Sequence, residues 1–234
     1  IYKGSFMINF YFFHIGENIS LPKMMVESIR ITNNNSQIFQ ITDRFSPEIK
    51  NIDKCFRFDG NIKNIMKFRM EAYSNVELVD NVPALFLDTD MLILKKINHI
   101  DLFKKNEVVL CKREIGVDLK VNINFKKMNM VEYKNSTMNE AWPYLGCFIA
   151  IKNSKCFDQM NEIYNKLETK YKIWYGDQIT LKKFADFNNV DCVGENEYAY
   201  IPNNNKVPEN TKILHFKGEG LKNLMKKYFI NYFK

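Results

Sequence analysis

The sequence has no apolar run near the roughly 18 residues that a membrane-spanning helix needs, no Cys-x-x-Cys pair, no internal repeat and no Gly/Ser/Pro-rich linker. The first absence excludes a transmembrane helix among these residues. The five cysteines (Cys55, Cys111, Cys147, Cys156 and Cys192) are odd in number and widely spaced. That excludes a disulfide framework or a zinc site and reads as reduced, mostly buried thiols in a cytoplasmic protein. Without a linker, the 234 residues read as one domain spanning 1–234. The aromatic opening "FMINFYFF" follows Lys3 with no small-residue cleavage site after it, which predicts a core strand and not a signal peptide. No RNP-like, KH or helix-turn-helix pattern occurs, and the aromatics sit in apolar runs where they do not stack on bases. Nucleic acid is therefore not an expected partner.

What is present suits a globular protein with a large core: 46% hydrophobic residues, 26% charged, with 19 Phe and 12 Tyr. Net charge is +7 and the isoelectric point about 9.0. Such a balance fits a polyanion, an anionic membrane surface or a phosphate-bearing ligand, although an Asn-, Lys- and Ile-rich composition supplies part of the excess by itself.

Along the chain, "MINFYFFHIG" (Met7–Gly16) reads as a buried strand. "SLPKMMVESIRITN" reads as a helix capped by Ser20, and "SQIFQITD" as a second strand, a β-α-β opening that predicts parallel strands. A helix is expected over Asn61–Val76, then the strand "ALFLDTDMLIL" (Ala84–Leu94), a short helix and a strand in "DLFKKNEVVLCKRE". Periodicity fades from Gly116 to Asn139, the pattern of a loop over a site. Beyond it lie the strand "YLGCFIAIKN", a helix from a Ser154 cap to Tyr171, a helix in "GDQITLKKFADF", and the strand-to-turn run "TKILHFKGEGLK". The fold class this predicts is α/β, with a mostly parallel central sheet flanked by helices.

Two carboxylates inside an apolar run call for a reason, because an unpaired buried charge is costly. Asp88 and Asp90 fall where the "ALFL" strand ends, and strand periodicity places them on one side. Ligands of parallel α/β sheets collect at such strand ends. Two hard oxygen donors suit Mg²⁺ or Mn²⁺ held together with phosphates. Far downstream, "ILHFKGEGLK" (Ile213–Lys222) adds an imidazole, His215, as a third donor, with Gly218 and Gly220 allowing close backbone approach and Lys222 offering an ammonium.

The ordered blocks "LFLDTDMLIL", "YLGCFIAI", "YGDQITL" and "HFKGEGLK" resemble the GT-A-fold glycosyltransferases. The likeness is greatest to glycosyltransferase family 8, the retaining family that includes glycogenin and bacterial lipopolysaccharide galactosyltransferases. It implies a strand-end DxD and a late His on Mn²⁺ (or Mg²⁺), hence Asp88, Asp90 and His215 as metal ligands. It further implies Gly218 and Lys222 on the diphosphate, and Thr89, Arg69, His14 and Ile15 on the nucleotide sugar. Asp177 and Gln178 would line the catalytic pocket. The implied activity moves a sugar from a nucleoside-diphosphate sugar, by resemblance a UDP-sugar, to a saccharide or lipid-linked glycan with retention of configuration. Tyr144-Leu145-Gly146 stands where the family carries Asn-Ala-Gly, and Asn223-Leu224 where it carries Pro-Trp.

Two other readings stay open on sequence: a sugar-nucleotidyltransferase of similar fold, whose Gly-rich phosphate loop "FFHIGENISLPK" matches poorly, and a non-enzymatic basic domain that binds nucleotide or nucleic acid. The tail, 221–234, spaces Leu221, Leu224, Met225, Tyr228, Phe229 and Tyr232 as one helical side, with Lys226, Lys227 and Lys234 among them. Such a helix either docks on the core or makes peripheral contact with the inner face of an anionic membrane.

Overall fold

Asn9–Phe13 form β1, a strand of aromatic residues that is buried almost throughout. It leads through α1 (Ser20–Thr32) into β2 (Ile38–Thr42), parallel to it, the β-α-β opening expected from the sequence. The computed structural model describes residues 7–79, 82–125, 128–173, 175–202 and 206–234. The order continues with β3 (Lys54–Arg57), α2 (Ile65–Asn75), β4 (Ala84–Leu87), β5 (Met91–Ile93), α3 (His99–Leu102) and β6 (Val108–Lys112). Then come α4 (Met138–Ala141), β7 (Tyr144–Ile151), α5 (Lys155–Asn165), α6 (Thr169–Ile173) and α7 (Gly176–Phe187). The chain closes with β8 (Asp191–Gly194), α8 (Glu195–Tyr198), β9 (Ile213–His215) and α9 (Glu219–Phe233).

Seven of the described strands form one sheet in the order β3-β2-β1-β4-β7-β6-β8. Only β7 runs against the rest. The remaining pair, β5 and β9, makes a small antiparallel sheet. The expected α/β class with a mostly parallel sheet is what the chain adopts.

Each face of the large sheet has its own core. On one, Tyr11, Phe39, Tyr73, Phe86 and Phe157 pack ring to ring under α2, α5 and α7, with centroids 4.6–5.1 Å apart. On the other, aliphatic residues meet α1, β5, β9 and α9, whose Met225 and Phe229 are buried. A buried aromatic contributes about 1.5–3 kcal/mol and a ring pair about 1 kcal/mol more. With two such layers, the fold can tolerate a charged cluster at one end of the sheet.

Several local expectations change. The run Ala84–Leu94 is not one strand: it breaks at Asp88-Thr89-Asp90, leaving β4 in the large sheet and β5 in the small one. Neither serine caps a helix through its side chain. Ser20 lies inside the first turn of α1 with Asn18 Oδ1 accepting from its amide, and Asn153 Oδ1 accepts from Lys155 at the start of α5. The helix expected from Ser154 to Tyr171 divides into α5 and α6. The sequence reading also passes over β3 and β8, which hold the two sheet edges and need little apolar sequence. The stretch Gly116–Asn139 carries buried Val121, Met128 and Met130, and its end is fastened by a Thr137–Glu140 capping box on α4.

Candidate active site

The C-terminal end of β4 delivers Asp88, whose amide donates to Cys147 O of β7 at 3.1 Å. Two residues on, Asp90 O accepts from Phe216 N at 2.8 Å, so the Asp88-Thr89-Asp90 turn is clamped to both sheets. The next strand, β5, is pinned to α1 by Ile93 N donating to Ser28 Oγ, and its ladder with β9 sets Met91 opposite His215. That register carries a histidine 125 positions downstream of Asp90 to its side. Donor atoms of Asp88, Asp90 and His215 all lie within 4.8 Å of one another.

Their environment suits a cation. Asp90 Oδ1 and His215 Nδ1 are buried without a hydrogen-bond partner, His215 Nε2 stands 3.5 Å from Asp90 Oδ1, and Lys222 Nζ lies 3.7 Å from Asp90 Oδ2. Buried orphan atoms of this kind are rare in proteins, and two carboxylates with an imidazole are a donor set for Mn²⁺ or Mg²⁺. Burial, with Asp90 alongside, raises the Asp88 carboxyl above its usual range against the pull of Arg69. For Asp90 burial acts the same way, but His215 and Lys222 outweigh it and hold its carboxyl low. Burial pushes the neighbouring Cys147 thiol up to about 11.

A second acid, Asp177, faces this cluster from α7. Tyr175, left-handed at φ 62°, turns the chain into that helix, and Gly176 has no room for a side chain: a Cβ there would lie 2.6 Å from Tyr171 O. Asp177 is a first-turn residue, not the cap. Its carboxylate rests on Gly146 of β7, where an added Cβ would overlap it, 2.8 Å from Asp177 Cγ. A bulge in the β6–β7 pairing opens the strand at this point. Arg69 of α2 bridges the acids, donating from Nη1 to Asp88 Oδ1 at 3.0 Å and from Nη2 to Asp177 Oδ2 at 2.7 Å. Burial disfavours the guanidinium charge, yet the two carboxylates outweigh it and hold Arg69 protonated. Gln178 is oriented in turn: Arg113 Nη2 donates to Gln178 Oε1 at 2.8 Å, which leaves the Gln178 amide NH₂ as a donor.

These residues surround a cavity of about 520 Å³ that holds Arg69, Asp88, Asp90, Asp177, Gln178, His215, Gly218 and Lys222. His14, Ile15 and Thr89 lie in an adjoining cavity of about 650 Å³, and Glu219 and Lys222 line both. The eleven residues singled out in the sequence thus gather in two neighbouring cavities with Lys222 at their junction. Burial lowers the His14 imidazole below its usual value, and Gly16 O lies 3.0 Å from its Nε2. Gly218 has a φ of 87° between β9 and α9, whose first-turn residues Glu219 and Lys222 line both cavities; Gly220 has open space around it and no such demand. The sequence reading missed Met66, Leu145, Cys147, Tyr175, Lys217 and Glu219 as cavity walls, Gly146 as the seat of Asp177, and Arg113. Only Gly146 carried a signal, as the glycine of a family motif.

No protein-family model and no curated protein matches the chain. Solved structures do. A crystal structure of the galactosyltransferase LgtC in complex with donor and acceptor sugar analogs superposes with a TM-score of 0.57 at 13% identity, covering 97% of both chains. An active-site mutant of LgtC matches with the same score and identity over 91% of this chain and 88% of its own. At that identity the likeness is one of architecture, and it shows that the chain has the GT-A fold.

Proposed function

We propose that the chain is a divalent-cation-dependent glycosyltransferase that moves a sugar from a nucleoside-diphosphate sugar, a UDP-sugar by family resemblance, to a saccharide or lipid-linked glycan with retention of configuration. The observation that carries this reading is the convergence of Asp88, Asp90 and His215 beside Lys222, at the junction of two cavities on a GT-A fold. The whole chain serves as one catalytic domain.

The cavity of His14, Ile15 and Thr89 takes the nucleoside, and the junction takes the diphosphate. Asp88, Asp90 and His215 would hold Mn²⁺ (or Mg²⁺), which when bound supplies neutralising charge to the departing diphosphate. Lys222 and the first amides of α9 add positive potential at that place without reorganising. The sugar then lies toward Asp177 and Gln178. Arg69 and Gly146 fix the Asp177 carboxylate where positive character grows on the anomeric carbon, and Arg113 fixes Gln178 as a donor to a sugar oxygen. The bond from the anomeric carbon to the diphosphate breaks, one to the acceptor oxygen forms on the same face of the sugar, and the hydroxyl proton passes to the departing diphosphate oxygen.

A panel of UDP- and GDP-sugars tests the reading. With Mn²⁺ present, one donor should release its nucleoside diphosphate, and EDTA should abolish the release. Turnover indifferent to EDTA, or none on any donor, would overturn it.

Peripheral membrane contact belongs to the same proposal. No helix among the described residues is long and apolar enough to cross a membrane. With its apolar side docked on the core, α9 turns Lys226, Lys227, Lys234, Ile230 and Tyr232 outward. Removing the helix would uncover the core that Met225 and Phe229 close, so charge reversal is the sharper probe. The intact chain should float with vesicles containing anionic lipid, and a Lys227→Glu/Lys234→Glu variant should stay behind; equal partitioning of the two discards the contact.

A further inference from the structure

Arg69 gives one terminal nitrogen to each of two acids that line the cavity, 3.0 Å from Asp88 and 2.7 Å from Asp177. Its side chain is 12% exposed and its Nε is buried without a partner. Among the described residues no other side chain hydrogen-bonds to the guanidinium. Asp88 therefore has two claims upon it, from Arg69 and from the cation that it could hold with Asp90 and His215. Asp177 draws on the same guanidinium through its other terminal nitrogen.

We propose that Arg69 couples the two acids, so that the seating of the Asp177 carboxylate sets how tightly Asp88 and its partners hold a divalent cation. This inference rests on the reading of Asp88, Asp90 and His215 as cation ligands. Charges about 3 Å apart and partly buried interact more strongly, and are screened less by salt, than exposed ones. A guanidinium shared between two carboxylates pulls less on each than one that is fully given to either. With Asp177 unseated, Arg69 turns to Asp88 alone, and a cation meets a carboxylate already compensated. Linkage makes the effect reciprocal: a cation drawing on Asp88 returns Arg69 to Asp177 and stiffens the acid at the sugar end before any donor arrives. Arg69 is in this sense a positioning residue for both subsites.

The test needs no turnover. Mn²⁺ alone is titrated into the protein without donor, and free Mn²⁺ is followed by its paramagnetic resonance signal. Asp177→Asn is expected to weaken Mn²⁺ binding by about fivefold or more, the lower range of measured site-to-site couplings. Gly146→Ala, which unseats the carboxylate but keeps its charge, is expected to weaken it likewise. In an Arg69→Lys background, where one ammonium cannot fork to both acids, Asp177→Asn should change the affinity far less; the difference is the coupling in a double-mutant cycle. Equal effects of Asp177→Asn in both backgrounds would mean that Asp177 acts through space, and the inference falls. Wild-type binding that Asp177→Asn leaves unmoved overturns the inference alone. A wild-type chain that binds no Mn²⁺ overturns the cation reading along with it.

Discussion

Asp90→Asn is expected to lower Mn²⁺-dependent donor turnover by about a hundredfold or more. A bound cation stabilises the charge of a departing diphosphate by several kcal/mol, and each ~1.4 kcal/mol is tenfold in rate. The substitution keeps the shape of the side chain and removes one of the two carboxylates, so the loss falls on affinity for the ion and on the rate together. The fold should lose some stability as well, because His215 and Lys222 hold the Asp90 carboxylate charged and a neutral amide gives up that attraction. Parallel measurements of turnover against Mn²⁺ concentration and of thermal melting separate the two effects. Unchanged turnover, or a fall in melting temperature that accounts for the lost activity, would remove Asp90 from the ion site.

Gly146→Ala should abolish donor turnover through Asp177. The added methyl occupies space that the Asp177 carboxylate fills, and neither neighbour yields easily. Asp177 is held by Arg69 at 2.7 Å and by the first turn of α7, while Gly146 is flanked by Leu145, which pairs with Cys111, and by Cys147, whose carbonyl accepts from Asp88 N. The carboxylate must leave its seat and take an off-rotamer position, and a shift of about 1 Å in a positioning group costs about a hundredfold in rate. The same clash costs the fold only about 1–3 kcal/mol, the usual penalty for an overfilled site. A folded Gly146→Ala protein whose donor hydrolysis stays near background even at Mn²⁺ concentrations that saturate its weakened site is the expected result. Retention of wild-type turnover would show that Asp177 does not need this seat.

The elements that frame the site were legible because each wrote its own local pattern. The apolar run into Asp88, the alternation of β2 and the late His215–Lys222 block needed only periodicity and residue type. What stayed hidden depends on partners chosen by packing. Nothing near Arg69 in the sequence names Asp88, 19 positions on, or Asp177, 108 positions on, as its partners. The Arg113–Gln178 bond, 65 positions apart, is of the same kind. The break of the apolar run into β4 and β5 was invisible for a different reason: both halves are apolar enough for one strand, and only the presence of β9 gives Met91–Ile93 another sheet to join. The edge strands β3 and β8 escaped because an edge needs few apolar residues, and Lys54–Arg57 and Asp191–Gly194 have few.

The ladder between β5 and β9 sets His215 beside Asp90, whatever the length of chain between Ile93 and Ile213, while β4 brings Asp88 to the same place. A slip of one residue would exchange His215 for Phe216 and empty the site, so the pairing is an all-or-none lock. Loops between those two strands can change in length without moving that register, provided β7 keeps Cys147 under the Asp88 amide and α7 keeps Asp177 on Arg69. Pairing register, not loop length, is what such a scaffold must preserve.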